Sequence, residues 1–315
     1  MAPDKTPCGN IGLVRLLRLF PDDEAARRWF ESRLWPAGPH CPKCGSLDVQ
    51  HPIKHGSMTH RCRACPGKPR FSLKTNTIME GSKLGYQTWA LALYLVTSNP
   101  KGISSAKLAR DLEVTQKTAW HLAHRIREAF DADPGRFLGP VEMDETYVGG
   151  LNRNKHACKK LRKGTGAVGK TAVVGARDRA TNRIRAQVVR HVDRRTMHAF
   201  VRQTVGRGAF LYTDCASAYE GVPDMFNGIR HAAVNHSRGE YVRGPVHTQG
   251  IESFWAIFKR AHKGTFHSIS PKHLHRYVNE FAGRHNLRSE DTIDMLAEAA
   301  AGMEGKRLRY RELIS

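Results

Sequence analysis

"GTGAVGKT", residues 164–171, meets every defined position of the pattern G-x-x-x-x-G-K-[ST], and its reading decides the fold. As a phosphate loop, Gly164, Gly169, Lys170 and Thr171 would cradle nucleotide phosphates and a metal ion. Such a loop needs a buried strand before its first glycine and a helix after its threonine. Here "HACKKLRK" (156–163) precedes it, which is no buried strand. "TAVVGARD" (171–178) follows, β-branched and running into a turn. The segment therefore reads as a flexible basic loop entering a strand, and no nucleotide partner is expected.

Working outward, the surrounding chain alternates between strand and helix signals. "VEMDETYVGG" (141–150), "TAVVGARD" (171–178) and "RIRAQVVRHV" (183–192) read as three strands, the last two joined by an "RATN" turn. Residues 193–205 open on an Asp193 N-cap and continue as a helix. "AFLYTDCASAY" (209–219) gives a strand ending in an aspartate, and 229–237 gives another. Helices are expected near 248–261 and 270–286. This order is that of an α/β domain.

Upstream, "DADPGRFLGP" (131–140) is a Pro/Gly-rich boundary. Before it, residues 103–130 carry two apolar stripes joined by "EVTQ", with Thr115 as N-cap of the second. That is helix-turn-helix patterning, in which Gln116, Lys117, Thr118 and His121 begin the recognition helix. An ordinary helical hairpin packed on a catalytic core has the same pattern. Cys41 and Cys44, then Cys62 and Cys65, form two C-x-x-C knuckles suited to one four-thiolate Zn2+, a zinc ribbon. A short helix is expected over 21–35. The expected organisation is helix and ribbon to residue 80, a helical DNA-binding region over 81–132, a catalytic domain over 138–290, and a C-terminal tail over 291–315.

Composition narrows the partners. The 315 residues carry a formal net charge of +22, an excess that repels itself unless an anion is at hand. Double-stranded DNA is the favoured partner, with Lys159, Lys160 and Lys170 of the basic loop among the contacts. No apolar run approaches the roughly 20 residues of a membrane span. Of seven cysteines, four form the metal knuckles and three are scattered, which without a secretory leader points to the cytoplasm and to association with the nucleoid.

Three acids occupy informative places. Asp144 lies within "VEMDETYV" and shares a strand face with Glu142 and Thr146. Asp214 ends the strand "AFLYTD", where an open sheet exposes functional groups. Glu252 lies in "GIESFWAIFKR", turned away from Ile251, Phe254, Trp255 and Phe258 and toward the face that holds Lys259. Converging carboxylates of this kind bind hard divalent cations for phosphoryl transfer.

These segments, with "LYTDCASAY", "VNHSRGEYV", "FSLKTNTIMEGSKLGYQTW" and the four cysteines, resemble an insertion-sequence transposase family, the ISXO-like group. The resemblance spans residues 20–287. It implies an RNase H-like core, a mixed sheet flanked by helices, preceded by the zinc ribbon and helix-turn-helix region. It implies binding of terminal inverted repeats and Mg2+- or Mn2+-dependent DNA cleavage and strand transfer, by a homo-oligomer on DNA. On that pattern Asp144, Asp214 and Glu252 hold the metal, and Lys259 contacts the transposon end. Gln249 stands where members often carry Asn, and it leaves the third ligand open between Gln249 and Glu252. His236 and His247 lie in matching segments and are candidates for contact with DNA or metal. The alternative function is a domesticated, non-catalytic zinc-ribbon regulator.

Overall fold

A computed structural model describes residues 11–150, 152–154, 156–160, 167–214, 217–219, 221–222 and 228–315. Gly164 lies outside the described residues. The chain divides into two compact units, residues 1–131 with 287–315, and residues 132–286.

The first unit begins with helices α1 (Leu13–Leu19) and α2 (Asp23–Leu34). Asp22 caps α2 by accepting the Ala25 N–H at 2.7 Å. Strands β1 (Val49–Gln50), β2 (His60–Cys62) and β3 (Arg70–Phe71) form an antiparallel sheet. Helices α3 (Tyr86–Ser98), α4 (Ser105–Asp111) and α5 (Gln116–Ala129) follow. Thr115 caps α5 through the Thr118 N–H, as its sequence position requires. Glu113, in the turn before it, has the positive φ of 53° that reverses the chain between α4 and α5.

Residues 287–315 return to this unit and supply α9 (Thr292–Ala301) and α10 (Tyr310–Ile314). Leu296, Ala299, Ala300 and Met303 share one buried core with Phe30, Trp89, Leu122 and Ile126. Cys41, Cys62, Cys65 and Phe71 of the ribbon belong to the same core. Ribbon, helical hairpin and returning tail are thus one folding unit.

The second unit is a five-stranded mixed sheet. Its strands are β4 (Val141–Val148), β5 (Thr171–Asp178), β6 (Ile184–Val189), β7 (Phe210–Asp214) and β8 (Arg230–Val234). They lie in the order β6-β5-β4-β7-β8, β5 antiparallel to both neighbours and β7 parallel to β4 and β8. Within the unit the order is 3-2-1-4-5, an RNase H-like arrangement. Thr171 pairs with Val148 at the start of β5, so a strand follows Lys170 where a phosphate loop needs a helix.

Helix α6 (Arg194–Thr204) packs Met197, Phe200 and Val201 on one sheet face, beside Val141, Met143 and Val174. Asp193 caps it by accepting the Thr196 N–H at 2.8 Å. Helices α7 (Gln249–Ala261) and α8 (Leu274–Asn286) cover the other face. There Ile251, Phe254, Trp255 and Phe258 pack with Val148, Val173, Tyr277 and Phe281. Gly175 permits this approach, because a Cβ there would lie 2.5 Å from the Trp255 ring.

Candidate active site and metal centres

Chain order places the second unit's site. After β4 the chain moves outward to β5 and β6, then crosses back to add β7 on the other side of β4. The carboxyl end of β7, at Asp214, therefore lies beside the middle of β4, and in an open sheet the carboxyl ends of strands are the usual place for functional groups. The parallel register pairs Glu142 with Tyr212. Asp144 and Asp214 each lie two residues further on (144 − 142 = 214 − 212 = 2), at the same level of the sheet and on the same face.

Glu252 reaches this face from the first turn of α7. Its Oε1 accepts the Thr248 hydroxyl at 2.7 Å and lies 3.9 Å from His236 Nε2. Burial, then the negative charges of Glu145, Asp214 and Glu252, push the Asp144 carboxyl up to about 7. Asp144 thus feels carboxylates carried by two other elements. A divalent cation relieves that accumulation of charge, so the donor set fits Mg2+ or Mn2+. Gln249 is exposed at the start of α7, and Lys259 is exposed two turns beyond Glu252.

A buried latch fixes the element that carries Glu252. Glu142, fully buried on the Asp144 face, accepts the Ile251 N–H at 2.9 Å through Oε2. Its Oε1 accepts from Arg179 at 2.7 Å and from Arg177 at 3.3 Å. Arg179 also donates to the carbonyls of Pro245 and His247, at 2.6 and 2.7 Å. Gly250 leaves room for this latch, since a Cβ there would displace the Arg177 guanidinium and the Glu142 carboxylate. His247, a candidate ligand by sequence, lies against this latch, with Nδ1 3.7 Å from Glu142 Oε1. Glu142 shares the Asp144 face by simple alternation, but its partners lie 35 to 109 residues away, beyond any local signal.

Glu145 escaped the sequence reading. It points to the opposite face, where Tyr219 donates to its Oε2 at 2.8 Å. Burial raises its carboxyl above the usual range. Tyr219 is itself buried in the α6 core, so this bond anchors the chain just after Asp214.

In the first unit, the sulfur atoms of Cys41, Cys44, Cys62 and Cys65 all lie within 4.8 Å of one another. Zn–S bonds of about 2.3 Å in a tetrahedron set sulfurs about 3.8 Å apart. Cys41–Cys65 and Cys44–Cys62 are separated by 3.9 and 3.7 Å, so the cluster fits Zn2+. Among the described residues it is the group of potential ligands drawn together this closely.

The helix-turn-helix candidates meet the returning tail. Lys117 Nζ lies 4.5 Å from the Tyr310 ring centre, and His121 Nε2 is 3.0 Å from the Leu308 carbonyl oxygen. Gln116 donates to Ser105 Oγ at 2.9 Å, and Thr118 Oγ1 is 2.9 Å from Thr115 Oγ1. In the second unit Lys160 is exposed and Lys170 half-buried. The side chain of Lys159 lies outside the described set. No described helix is long and apolar enough to cross a membrane.

Comparison with known proteins finds two domain families. An ISXO2-like transposase domain matches residues 136–286, and a transposase zinc-ribbon domain matches residues 21–67. A protein of the transposable element ISH50 from Halobacterium salinarum is 27% identical over 286 residues, 86% of this chain and 93% of that protein.

Proposed function

The chain belongs to the insertion-sequence transposases that join a zinc ribbon to an ISXO2-like catalytic domain, and we propose from this premise that it binds the terminal repeats of its element and catalyses DNA cleavage and strand transfer. The observation that carries this reading is that Asp144, midway along β4, lies level with Asp214 at the end of β7 and feels the charges of both Asp214 and Glu252. These acids would hold Mg2+ or Mn2+, which when bound activates the attacking hydroxyl and stabilises the departing 3′ oxygen.

The chain's own residues prepare the site. Asp144 stands on the central strand and Asp214 on the strand beside it, and the Glu142 latch holds the turn that presents Glu252. Thr248 orients the Glu252 carboxylate. Lys259 projects two turns along the same helix, as a contact for the DNA backbone at the transposon end. The first unit folds around Zn2+ and engages double-stranded DNA, with α5 and the basic loop adding contacts. Two ends must be joined in one reaction, which calls for a homo-oligomer on DNA.

Purified protein incubated with a labelled duplex carrying an element end tests this. Metal-dependent release of a 3′ end and its transfer to target DNA is the expected result. Metal-independent binding without cleavage supports the regulator instead.

A further inference from the structure

The ribbon sheet has one face in the core and one facing outward. His60, Cys62 and Phe71 are buried, whereas Gln50, Arg61 and Arg70 stand in a cross-strand row. The register is direct, with Gln50 opposite Arg61 and Arg61 opposite Arg70. Lys54, in the β1–β2 connection, joins Gln50, Arg61 and Arg70 in lining one notch whose walls hold no acid.

Two arginines directly opposite each other on neighbouring strands repel. Among the described residues, no carboxylate pairs with Lys54, Arg61 or Arg70. Arg61 Nε is buried and has no hydrogen-bond acceptor. A buried donor without an acceptor adds a second cost to the free protein. An anion with several acceptor oxygens in the notch offsets the repulsion between the two guanidinium groups. Guanidinium groups in a row match consecutive phosphates, and a narrow antiparallel ribbon fits a DNA groove.

We propose that the Gln50–Arg61–Arg70 row, with Lys54, is the face through which the zinc ribbon grips the phosphate backbone of double-stranded DNA. This rests on the transposase reading for its choice of DNA, and its test is separable from catalysis. Arg70 and Lys54 are exposed, so their replacement leaves the core intact.

The full chain is titrated against a fluorescent duplex carrying an element end over a series of salt concentrations. Arg70→Gln and Lys54→Gln should each weaken binding and make the log-log salt slope shallower by about 0.9, and Arg61→Gln/Arg70→Gln by about 1.8. Zinc content should stay at that of the wild type, and the thermal midpoint should be equal or higher because a repulsion is gone. A merely structural row gives a lower midpoint. Unchanged affinity and slope in zinc-loaded Arg70→Gln and Lys54→Gln overturn the proposal. If the wild type binds DNA through this row but never cleaves it, the row stands and the catalytic reading falls.

Discussion

Glu142 accepts the backbone N–H of Ile251 at 2.9 Å, tying the middle strand of the catalytic sheet to the first turn of the helix that bears Glu252. The same carboxylate is bound by Arg177 and Arg179, and Arg179 also holds the two carbonyls of the preceding loop. The third acid is therefore placed by a buried charge network. Breaking a buried pair by removing one partner typically costs about 3–5 kcal/mol. The arginine side chains keep about a fifth of their surface in solvent, at 22% and 19%, which reduces that figure, so Glu142→Gln should cost about 2 kcal/mol or more. Cleavage should fall at least tenfold while binding of end DNA changes little. Calorimetry and a cleavage assay check this together. A variant with the wild-type midpoint and rate removes the latch from the mechanism.

The zinc site shares its core with helices α1–α5 and α9. Chelation should therefore unsettle more than the ribbon. One zinc per chain is expected, and its removal should lower the melting temperature of the whole first unit. Cys44→Ser should do the same with little cavity cost, because Cys44 is exposed whereas the other three thiols are buried. Metal analysis with hydrogen exchange of α3 and α5 tests this. Unchanged protection of those helices in metal-free protein contradicts the shared core.

Burial and its acidic neighbours hold Asp144 at about 7 against an ordinary 3.8. The folded, metal-free chain therefore keeps a proton that the unfolded chain releases. The stability this contributes is complete below about pH 4 and is lost as pH rises through about 7, by at most about 4 kcal/mol. Asp144→Asn should flatten that dependence and leave the metal-free variant more stable than wild type above pH 7. Added Mg2+ should raise the wild-type melting temperature above pH 7 and leave Asp144→Asn unmoved. Parallel pH profiles for the two proteins count against a charged cluster around Asp144.

Much of the fold was legible because its signals are local. Thr115 and Asp193 are N-caps that hydrogen-bond within three residues, and the strand beginning at Thr171 is read from β-branched residues. The same local signal rejects the phosphate loop, since a strand cannot present the helix N-terminus that phosphates need. The acids were legible singly by type and position, but their common level follows from the pairing of β4 with β7, 70 residues apart. Glu142 was seen only as sharing a face, because nothing nearby reveals that its partners are Arg179 and Ile251. The return of Leu296 and Ala300 to the first unit is equally non-local, and so is the meeting of Lys117 with Tyr310.

The central claim is that Asp144, Asp214 and Glu252 together hold the catalytic metal. It is tested most directly by metal-dependent cleavage of a duplex carrying an element end, measured for Asp144→Asn, Asp214→Asn, Glu252→Gln and Gln249→Ala. Each amide keeps the size of its acid and removes the charge that binds the cation. The three acid variants should lose cleavage and strand transfer while still binding the end, and Gln249→Ala should retain activity. Cleavage at the wild-type rate by all three acid variants, or an active Glu252→Gln beside an inactive Gln249→Ala, would contradict that assignment.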